Sequence, residues 1–375
     1  MPNVQAAQWS DDYLAELVTL RDQHPTLKAA AEAAGLSWGK MESRLRAAAA
    51  RGLDGSVPRP LPIGQRIKGV STLYDAGGNV AMQWVKTSAD GALDSTVDAI
   101  RSAFDAYAGR AEIVPPPAQA NSDLLTVYPI VDHHLGLYAW AEETGEDWDL
   151  SKSEAALRDC LAQLVAASPS SGTAIVLNLG DFFHADSHEA RTPRSGHALD
   201  VDTRHAKVLR TGVRLMIWAV ELALSRHDHV VVRCLAGNHD PESSLALAAA
   251  LAVFFEANPR VTVDDSPSLT WFYRFGRVLL GATHGHTIKP ARQPGVMATS
   301  RPADWGETTF RYFYSGHIHH ETALEADGVL CRTFQTLAAR DAWHAGSGYL
   351  SGRSMTAITH HTDQGEICRI QRAPT

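Results

Sequence analysis

Two patterns of apolar and polar positions divide the chain. Up to about residue 52 the spacing is helical, and three short helices are predicted. The first runs from Asp11 to Gln23 behind a Ser10 N-cap; the second runs from Leu27 to Ala34 behind Thr26 and stops at Gly35. The third begins near Ser37 and ends at Arg51, with Gly52 in the C-capping position. Gly64 to Thr87 then reads as a β-hairpin, with Val70–Tyr74 turning through Gly77-Gly78-Asn79 into Val80–Lys86. From Asn121 the pattern becomes strands alternating with helices, as in an α/β domain. Strands are predicted at Leu124–Val131, Ala174–Leu179, Val230–Leu235, Val278–Ala282 and Tyr312–Tyr314. Helices are predicted at Glu154–Ala167, Arg204–Ser225 and Ser243–Phe255, with further strands at Val329–Thr336 and Met355–Arg369. Two proline-rich stretches, Val57–Pro62 and Pro115–Pro117, read as stiff spacers. The expected organisation is a module over residues 1–90, a linker over 91–120 and a main domain over 121–375.

Helices followed by a hairpin suggest a winged helix-turn-helix. Its third helix would present Lys40, Ser43 and Arg44 to DNA. Between Lys28 and Lys68 there are eight Lys or Arg against Glu32, Glu42 and Asp54, which favours DNA contact over a protein-contact or dimerisation module.

Composition narrows the class. The 375 residues are 45% hydrophobic and 20% charged, as in an ordinary globular protein, and the net charge of −8 argues against coating of DNA by bulk electrostatics. No apolar run reaches the ~20 residues a membrane span needs. Met1–Ser10 lacks a secretory pattern, and the four scattered cysteines lack metal or redox spacing. A cytoplasmic protein with reduced thiols is expected, in a bacterial host cell if phage-encoded. The 18 histidines are the unusual feature, many lying beside Asp, Asn or another His.

Each of the five predicted strands runs into a polar cluster: Asp132-His133-His134, Gly180-Asp181-Phe182-Phe183-His184, Gly237-Asn238-His239-Asp240, His284-Gly285-His286 and Gly316-His317-Ile318-His319. The carboxyl ends of strands are where open α/β sheets hold ligands. Carboxylate, imidazole and amide oxygen without thiolate suit Mn, Fe, Zn, Ni or Mg. There are too many donors for one ion and enough for two. A metal pair roughly 3.5–4 Å apart can generate hydroxide and clamp a phosphoryl group.

The ordered set Asp-x-His, Gly-Asp-x-x-His, Gly-Asn-His-Asp, His-Gly-His and Gly-His-x-His resembles the calcineurin-like metallophosphoesterase superfamily from about Asn121 to the C-terminus. The resemblance implies a four-layer α/β sandwich of two β-sheets flanked by helices, joined to the winged helix-turn-helix-like module. It implies two divalent ions, manganese foremost. Asp132, His134 and His319 would hold one, Asn238, His284 and His317 the other, and Asp181 would bridge them. His239, oriented by Asp240, would stabilise the transition state or protonate the leaving oxygen, with His184 touching the phosphate or His239. His184 and the motif it closes look more like the double-strand-break repair nucleases than the protein phosphatases, whose branch carries Asp-Arg-Gly and Glu where Phe183-His184-Ala185 and Asp240 stand. The whole chain also resembles bacteriophage and prophage phosphoesterases.

The expected function is therefore a two-metal phosphodiesterase, foremost a DNA nuclease, in which hydroxide attacks phosphorus. The alternatives are a small-molecule phosphoesterase acting on a cyclic nucleotide or nucleotide, and a DNA-binding regulator with an inactive domain. Homo-oligomerisation stays open, and nothing in the sequence indicates a partner ATPase. His133, His286 and His320 are read as neighbours of ligands rather than ligands. Ala185–Thr203 is a candidate groove wall whose Arg191 and Arg194 could meet phosphates, against a solvated loop. Lys289, Arg292, Arg301 and Arg311 carry the same two readings. Trp305 and Trp343 are read as core.

Overall fold

The computed structural model describes residues 9–50, 53, 65–74, 80–89, 114–348 and 350–374. The chain divides into two compact units, Met1–Ser95 and Thr96–Thr375.

The first unit contains α1 (Asp11–Gln23), α2 (Leu27–Ala33), α3 (Trp38–Ala50) and the strands β1 (Gln65–Tyr74) and β2 (Val80–Ala89). Side-chain caps start the first two helices. Ser10 Oγ accepts Tyr13 N and Thr26 Oγ1 accepts Ala29 N, each satisfying an otherwise unpaired first-turn donor. Small residues allow close helix contact. Leu14 and Val18 meet Ala47 and Ala48, while Leu17 meets Ala30, Ala31 and Met41. Strands β1 and β2 pair antiparallel, with Val70 opposite Val85. The Gly52 cap, the Gly77–Asn79 turn, the Val57–Pro62 spacer and most of the proposed linker lie outside the described residues.

The second unit has four layers. A six-stranded sheet has the order β13-β12-β3-β4-β5-β6, and a five-stranded sheet the order β10-β11-β9-β8-β7. The first comprises β3 (Asn121–Ile130), β4 (Ser171–Asn178), β5 (His229–Cys234), β6 (Val261–Asp264), β12 (Met355–His361) and β13 (Gly365–Arg372). The second comprises β7 (Thr270–Phe275), β8 (Val278–Thr283), β9 (Phe310–Ser315), β10 (Thr322–Ala326) and β11 (Val329–Thr333). Alternation along the strands assigns the layers, since successive side chains take opposite faces. Tyr128, Ile130, Val176 and Val232 face α4 (Leu150–Ala167), α5 (His205–Leu224) and α6 (Pro241–Phe255). Their neighbours Val127, Val131, Ile175, Leu177 and Val231 face Leu280, Ala282, Tyr312 and Tyr314 of the other sheet. On the far side, Leu279, Phe313 and Cys331 bury Met297 of α7 (Gln293–Ser300), which α8 (Pro302–Glu307) follows. Burying one such side chain contributes roughly 1.5–3 kcal/mol before entropy is subtracted. The two inner faces form one apolar seam.

The predicted strand Met355–Arg369 is two strands, because Thr362–Gln364 turn the chain and β12 pairs antiparallel with both β3 and β13. The four cysteines are unpaired. Among the described residues no helix is long and apolar enough to cross a membrane.

Candidate metal centre

Strands β3, β4 and β5 are parallel, as are β8 and β9, so all five carboxyl ends meet at one edge of the seam. The loops that leave them are conformationally unusual. Among the described residues seven non-glycine residues have positive φ, and five of these are Asp132, His134, Asp181, His317 and His319. Left-handed backbone is uncommon outside glycine, although Asp and His tolerate it better than most residues, and its clustering here marks a functional site. It lets each chain leave its strand sharply while Asp132 and His134, and likewise His317 and His319, still reach the same site.

Three donor groups result, one of them being His134, His184 and His239, and the other two containing the carboxylates. Asp132, His134 and His319 converge in one, and Asp181, His284 and His317 in the other, with ligand atoms in each group within 4.8 Å of one another. His134 Nε2 lies 3.1 Å from His319 Nε2. His284 Nε2 lies 3.2 Å from Asp181 Oδ2 and 3.1 Å from Asn238 Oδ1. The other nitrogen of His284 donates to the Leu179 carbonyl at 2.9 Å, so Nε2 is the atom presented to the site. Asp132 is fully buried, and its Oδ2 accepts His317 N at 2.6 Å while Oδ1 has no hydrogen-bond partner.

Burial governs the protonation of this cluster. Desolvation pushes His319 down to about 3 and His317 to about 4, and holds His134 well below the ordinary imidazole range. Burial and the nearby Asp181 carboxylate raise the Asp132 carboxyl against the pull of His284. Burial would neutralise Asp181 too, but the adjacent His284 outweighs it and keeps that carboxyl ionised. Three imidazoles held neutral by burial, a carboxyl oxygen without a hydrogen-bond partner and an amide oxygen suit divalent cations; His284, pushed up to about 9 by the Asp181 carboxylate against burial, and Asp132 would give up their protons as an ion bound, and an ion would satisfy Asp132 Oδ1. The residues fit a pair of borderline or hard divalent ions.

The supporting residues differ from the sequence reading. Asp240 does not orient His239. Its buried carboxylate accepts from Asp181 N at 3.1 Å, Phe183 N at 3.0 Å, Gly237 N at 3.0 Å and Ser244 Oγ at 2.7 Å, tying two of the loops together. His239 is oriented by a carbonyl, its Nδ1 donating to His184 O at 2.9 Å, while its backbone N–H donates to Asp181 Oδ1 at 2.8 Å. His184 is buried with 1% exposure and cannot reach a phosphate in the cavity. It stacks on His239 at 5.5 Å, and its Nδ1 lies 3.2 Å from His134 Nδ1, so one proton serves both rings and fixes their tautomers. His133 turns into the helical layer, 3.2 Å from Ser153 Oγ. His286 stands beside His284 and His317, and His320 bonds the Ile318 carbonyl.

Close packing holds the loops. A Cβ on Gly237 would sit 1.9 Å from Asp181 Oδ1, so glycine is required where the two motif backbones cross. Phe182 and Phe183 are fully buried anchors, and Gly212 of α5 makes room for the Phe183 ring, which a Cβ would meet at 2.3 Å.

The donors open into a cavity of about 760 Å³. Thr192, Ser195 and Leu199 from the segment after β4 form one wall, and Asp341, Trp343 and His344 form another. That second wall escaped the sequence reading. Asp341 caps α9 (Ala342–Gly346), accepting His344 N at 2.8 Å and lying 2.6 Å from His344 Nδ1. The His344 ring stacks on His319 at 4.8 Å. Asp-x-x-His at a helix start was a legible capping signal, but no strand leads into it. Trp343 is 60% exposed rather than core, whereas Trp305 packs beside Met297 and Phe313 under Arg311.

The basic candidates separate similarly. Arg191 donates to Gly196 O within its own loop, while Arg194 lies close enough to depress the His286 pKa. Arg301 pairs with Asp304, and Arg311 donates to the Trp305 and Thr308 carbonyls. Arg44 of α3 is half-buried and packs within the unit: it donates to Tyr13 Oη at 2.7 Å and covers the Trp9 and Tyr13 rings. Lys40 is exposed and Ser43 half-buried.

No known protein family matches the chain, and no curated protein sequence matches it. Several solved structures are similar to it. An archaeal phosphodiesterase is 15% identical, with 66% of this chain and 99% of that chain covered, at a TM-score of 0.33. A dimetal phosphatase from Danio rerio is 10% identical over 67% of this chain and 99% of that chain, at 0.36. Vps29 from Entamoeba histolytica, complexed with zinc, is 13% identical over 66% and 98%, at 0.26. Likenesses this distant leave the chemistry to be argued from the residues.

Proposed function

We propose that the chain is a phosphodiesterase that works with two divalent metal ions, manganese foremost. One observation carries this reading: two buried carboxylates, four imidazoles and one amide oxygen converge at the strand ends with an orphaned Asp132 oxygen among them. Asp132, His134 and His319 would hold one ion; Asn238, His284 and His317 the other; Asp181 would serve both. When bound, such a pair supplies Lewis-acid stabilisation of phosphoryl charge and a nucleophile at neutral pH. The protein's own contribution is orientation. His239, with Nδ1 committed to the His184 carbonyl, offers Nε2 to hydrogen-bond a phosphoryl oxygen or hand a proton to the leaving alcohol. Buried Asp240 keeps the Asp181 and His239 loops in register.

The cavity favours a small phosphodiester, because no Lys or Arg is among its lining residues and the cations near it, Arg194 and Lys289 beside His286, are few for a polyanion. The test is hydrolysis of bis-p-nitrophenyl phosphate by protein loaded with Mn, Mg, Zn or Ni, with chelated protein and Asp181→Ala as controls. Metal-dependent turnover that disappears in the variant is expected; turnover that survives in both Asp181→Ala and His239→Ala overturns the reading.

A second reading, hydrolysis of DNA, is favoured by the three helices and hairpin of the first unit. Linear and circular, single- and double-stranded DNA offered to the same preparations distinguish it, and inert DNA beside hydrolysed small diesters would eliminate it.

A further inference from the structure

Beside the metal cavity lies a second hollow of about 170 Å³, lined in part by Tyr138, Trp140, Glu143 and Asp200. The two are neighbours: Asp200 follows Leu199 of the larger cavity, and Ala342, which lines the smaller one, sits between Asp341 and Trp343 of the larger.

Its walls are built rather than loose. Tyr138 N donates to the Asp200 carbonyl at 3.0 Å, joining two of the lining residues. Ala139 and Trp148 exchange backbone hydrogen bonds at 3.0 and 2.9 Å. Trp140 caps the single turn Ala141–Thr144, and Glu143 N donates to its carbonyl, which brings that carboxylate to the same rim.

Two features give the hollow a chemistry. The first is aromatic: Tyr138, Trp140 and Trp343 are 44%, 52% and 60% exposed, and they are the exposed large aromatic side chains among the described residues of this unit. A single exposed aromatic is ordinary, but two of them, Tyr138 and Trp140, line this hollow while Trp343 lines the larger cavity, and such a pairing suits a ligand. The second is charge. Glu143 and Asp200 form no ion pair or side-chain hydrogen bond among the described residues, and neither hollow has a Lys or Arg in its lining, Arg340 being turned to the carbonyl of Thr144 at 3.4 Å. Negative ring faces and unpaired carboxylates complement an organic cation and repel an anion. A nucleobase could stack on the rings but would not use the charge.

We propose that this hollow binds an organic ammonium group carried on one ester of the substrate, making the substrate class phosphodiesters of amino alcohols and their quaternary forms. The proposal rests on the phosphodiesterase reading and names its substrate. The phosphate lies at the metal centre, and the ammonium lies between Trp140, Tyr138 and the two carboxylates.

The test compares two diesters on the metal-loaded protein. One is 4-nitrophenyl phosphorylcholine. The other is 4-nitrophenyl 3,3-dimethylbutyl phosphate, in which carbon replaces the ammonium nitrogen. Wild-type kcat/KM is expected to favour the cation by roughly tenfold, and Trp140→Ala and the double variant Glu143→Gln/Asp200→Asn to bring the ratio close to one. The neutral diester reports folding within each preparation. Equal wild-type kcat/KM for both diesters overturns the inference and leaves phosphodiesterase activity standing. Should neither diester be cleaved, the phosphodiesterase reading falls, and choline titrated into the metal-free protein, followed by tryptophan fluorescence, decides the site. Saturation that is lost in the double variant supports a cation site; no saturation overturns it.

Discussion

Histidines are buried in two regions of the larger unit, and their partners separate scaffold from chemistry. Away from the strand ends, His227 and His360 are fully buried. His227 Nδ1 accepts Ser171 N at 3.2 Å, and its Nε2 lies 2.8 Å from Tyr128 Oη. His360 Nε2 lies 2.9 Å from Tyr314 Oη. Burial pushes these rings down to about 4 and about 3. At the strand ends His134, His317 and His319 are lowered by the same cause, yet there imidazole faces imidazole and carboxylate rather than a tyrosine hydroxyl. Burial and neutrality are thus common to these rings, while His284 beside Asp181 is instead pushed up to about 9. What marks the functional region is lone pairs converging without enough protons to satisfy them.

Several experiments would break or sharpen this contrast. The largest effect is expected from Asp181→Ala, which should lower diester hydrolysis ~10³-fold. His227→Gln, although equally buried, should leave turnover per folded molecule within about twofold and instead lower the urea midpoint. Comparable activity losses in both would erase the distinction.

A finer division lies within the cluster. His239→Ala should cost kcat ~10²-fold, because its ring faces the cavity. His184→Ala should cost ~10-fold, because it acts through the orientation of His134 and His239. Steady-state kinetics on one diester checks the order, and a larger loss in His184→Ala would place that ring in contact with substrate.

Acid should act on the scaffold histidines with a defined sign. The folded pKa of His227 is depressed from 6.5 to about 4, so the unfolded state binds more protons between those values. The stability that this neutral ring contributes is therefore present above pH 6.5 and lost as pH falls toward 4. Denaturation should show the wild-type advantage over His227→Gln narrowing by about 3 kcal/mol across that window. An advantage that does not change with pH would mean the ring titrates alike in the folded and unfolded states.

The smallest effect is expected in the first unit. Arg44→Ala should destabilise the helices by about 1–2 kcal/mol by removing a hydrogen bond and two ring contacts. Exposed Lys40→Ala should stay within about 0.5 kcal/mol. Thermal unfolding followed in the two variants separates them, and equal midpoints would return Arg44 to the surface.

Much of the site was legible because its signals are local. An apolar strand that ends in Gly, Asp and His announces both a sheet and a polar edge, and period-two spacing in His317-x-His319 marks two donors on one strand exit. Asp240 was legible as a motif residue but not in its role: its four donors are the backbone N–H groups of Asp181, Phe183 and Gly237 and the hydroxyl of Ser244, none of which has a sequence signature. The packing of Arg44 was not legible for a related reason, since Tyr13 and Trp9 meet it only after α1 packs on α3. Trp343 looked like core by residue type, and α9 puts it on a cavity wall.

By itself the sequence determined the alternation of strands and helices, the three-helix start and the residue types at each strand exit. Those follow from side-chain periodicity and backbone preference within a few residues. Tertiary structure alone decided that His134 and His319, 185 positions apart, stand 3.1 Å from each other. It also decided that a carbonyl orients His239, and that an aromatic, acidic hollow adjoins the metal centre. Such distances depend on parallel register across two stacked sheets, where a one-residue slip would turn every ligand-bearing strand end to the opposite face.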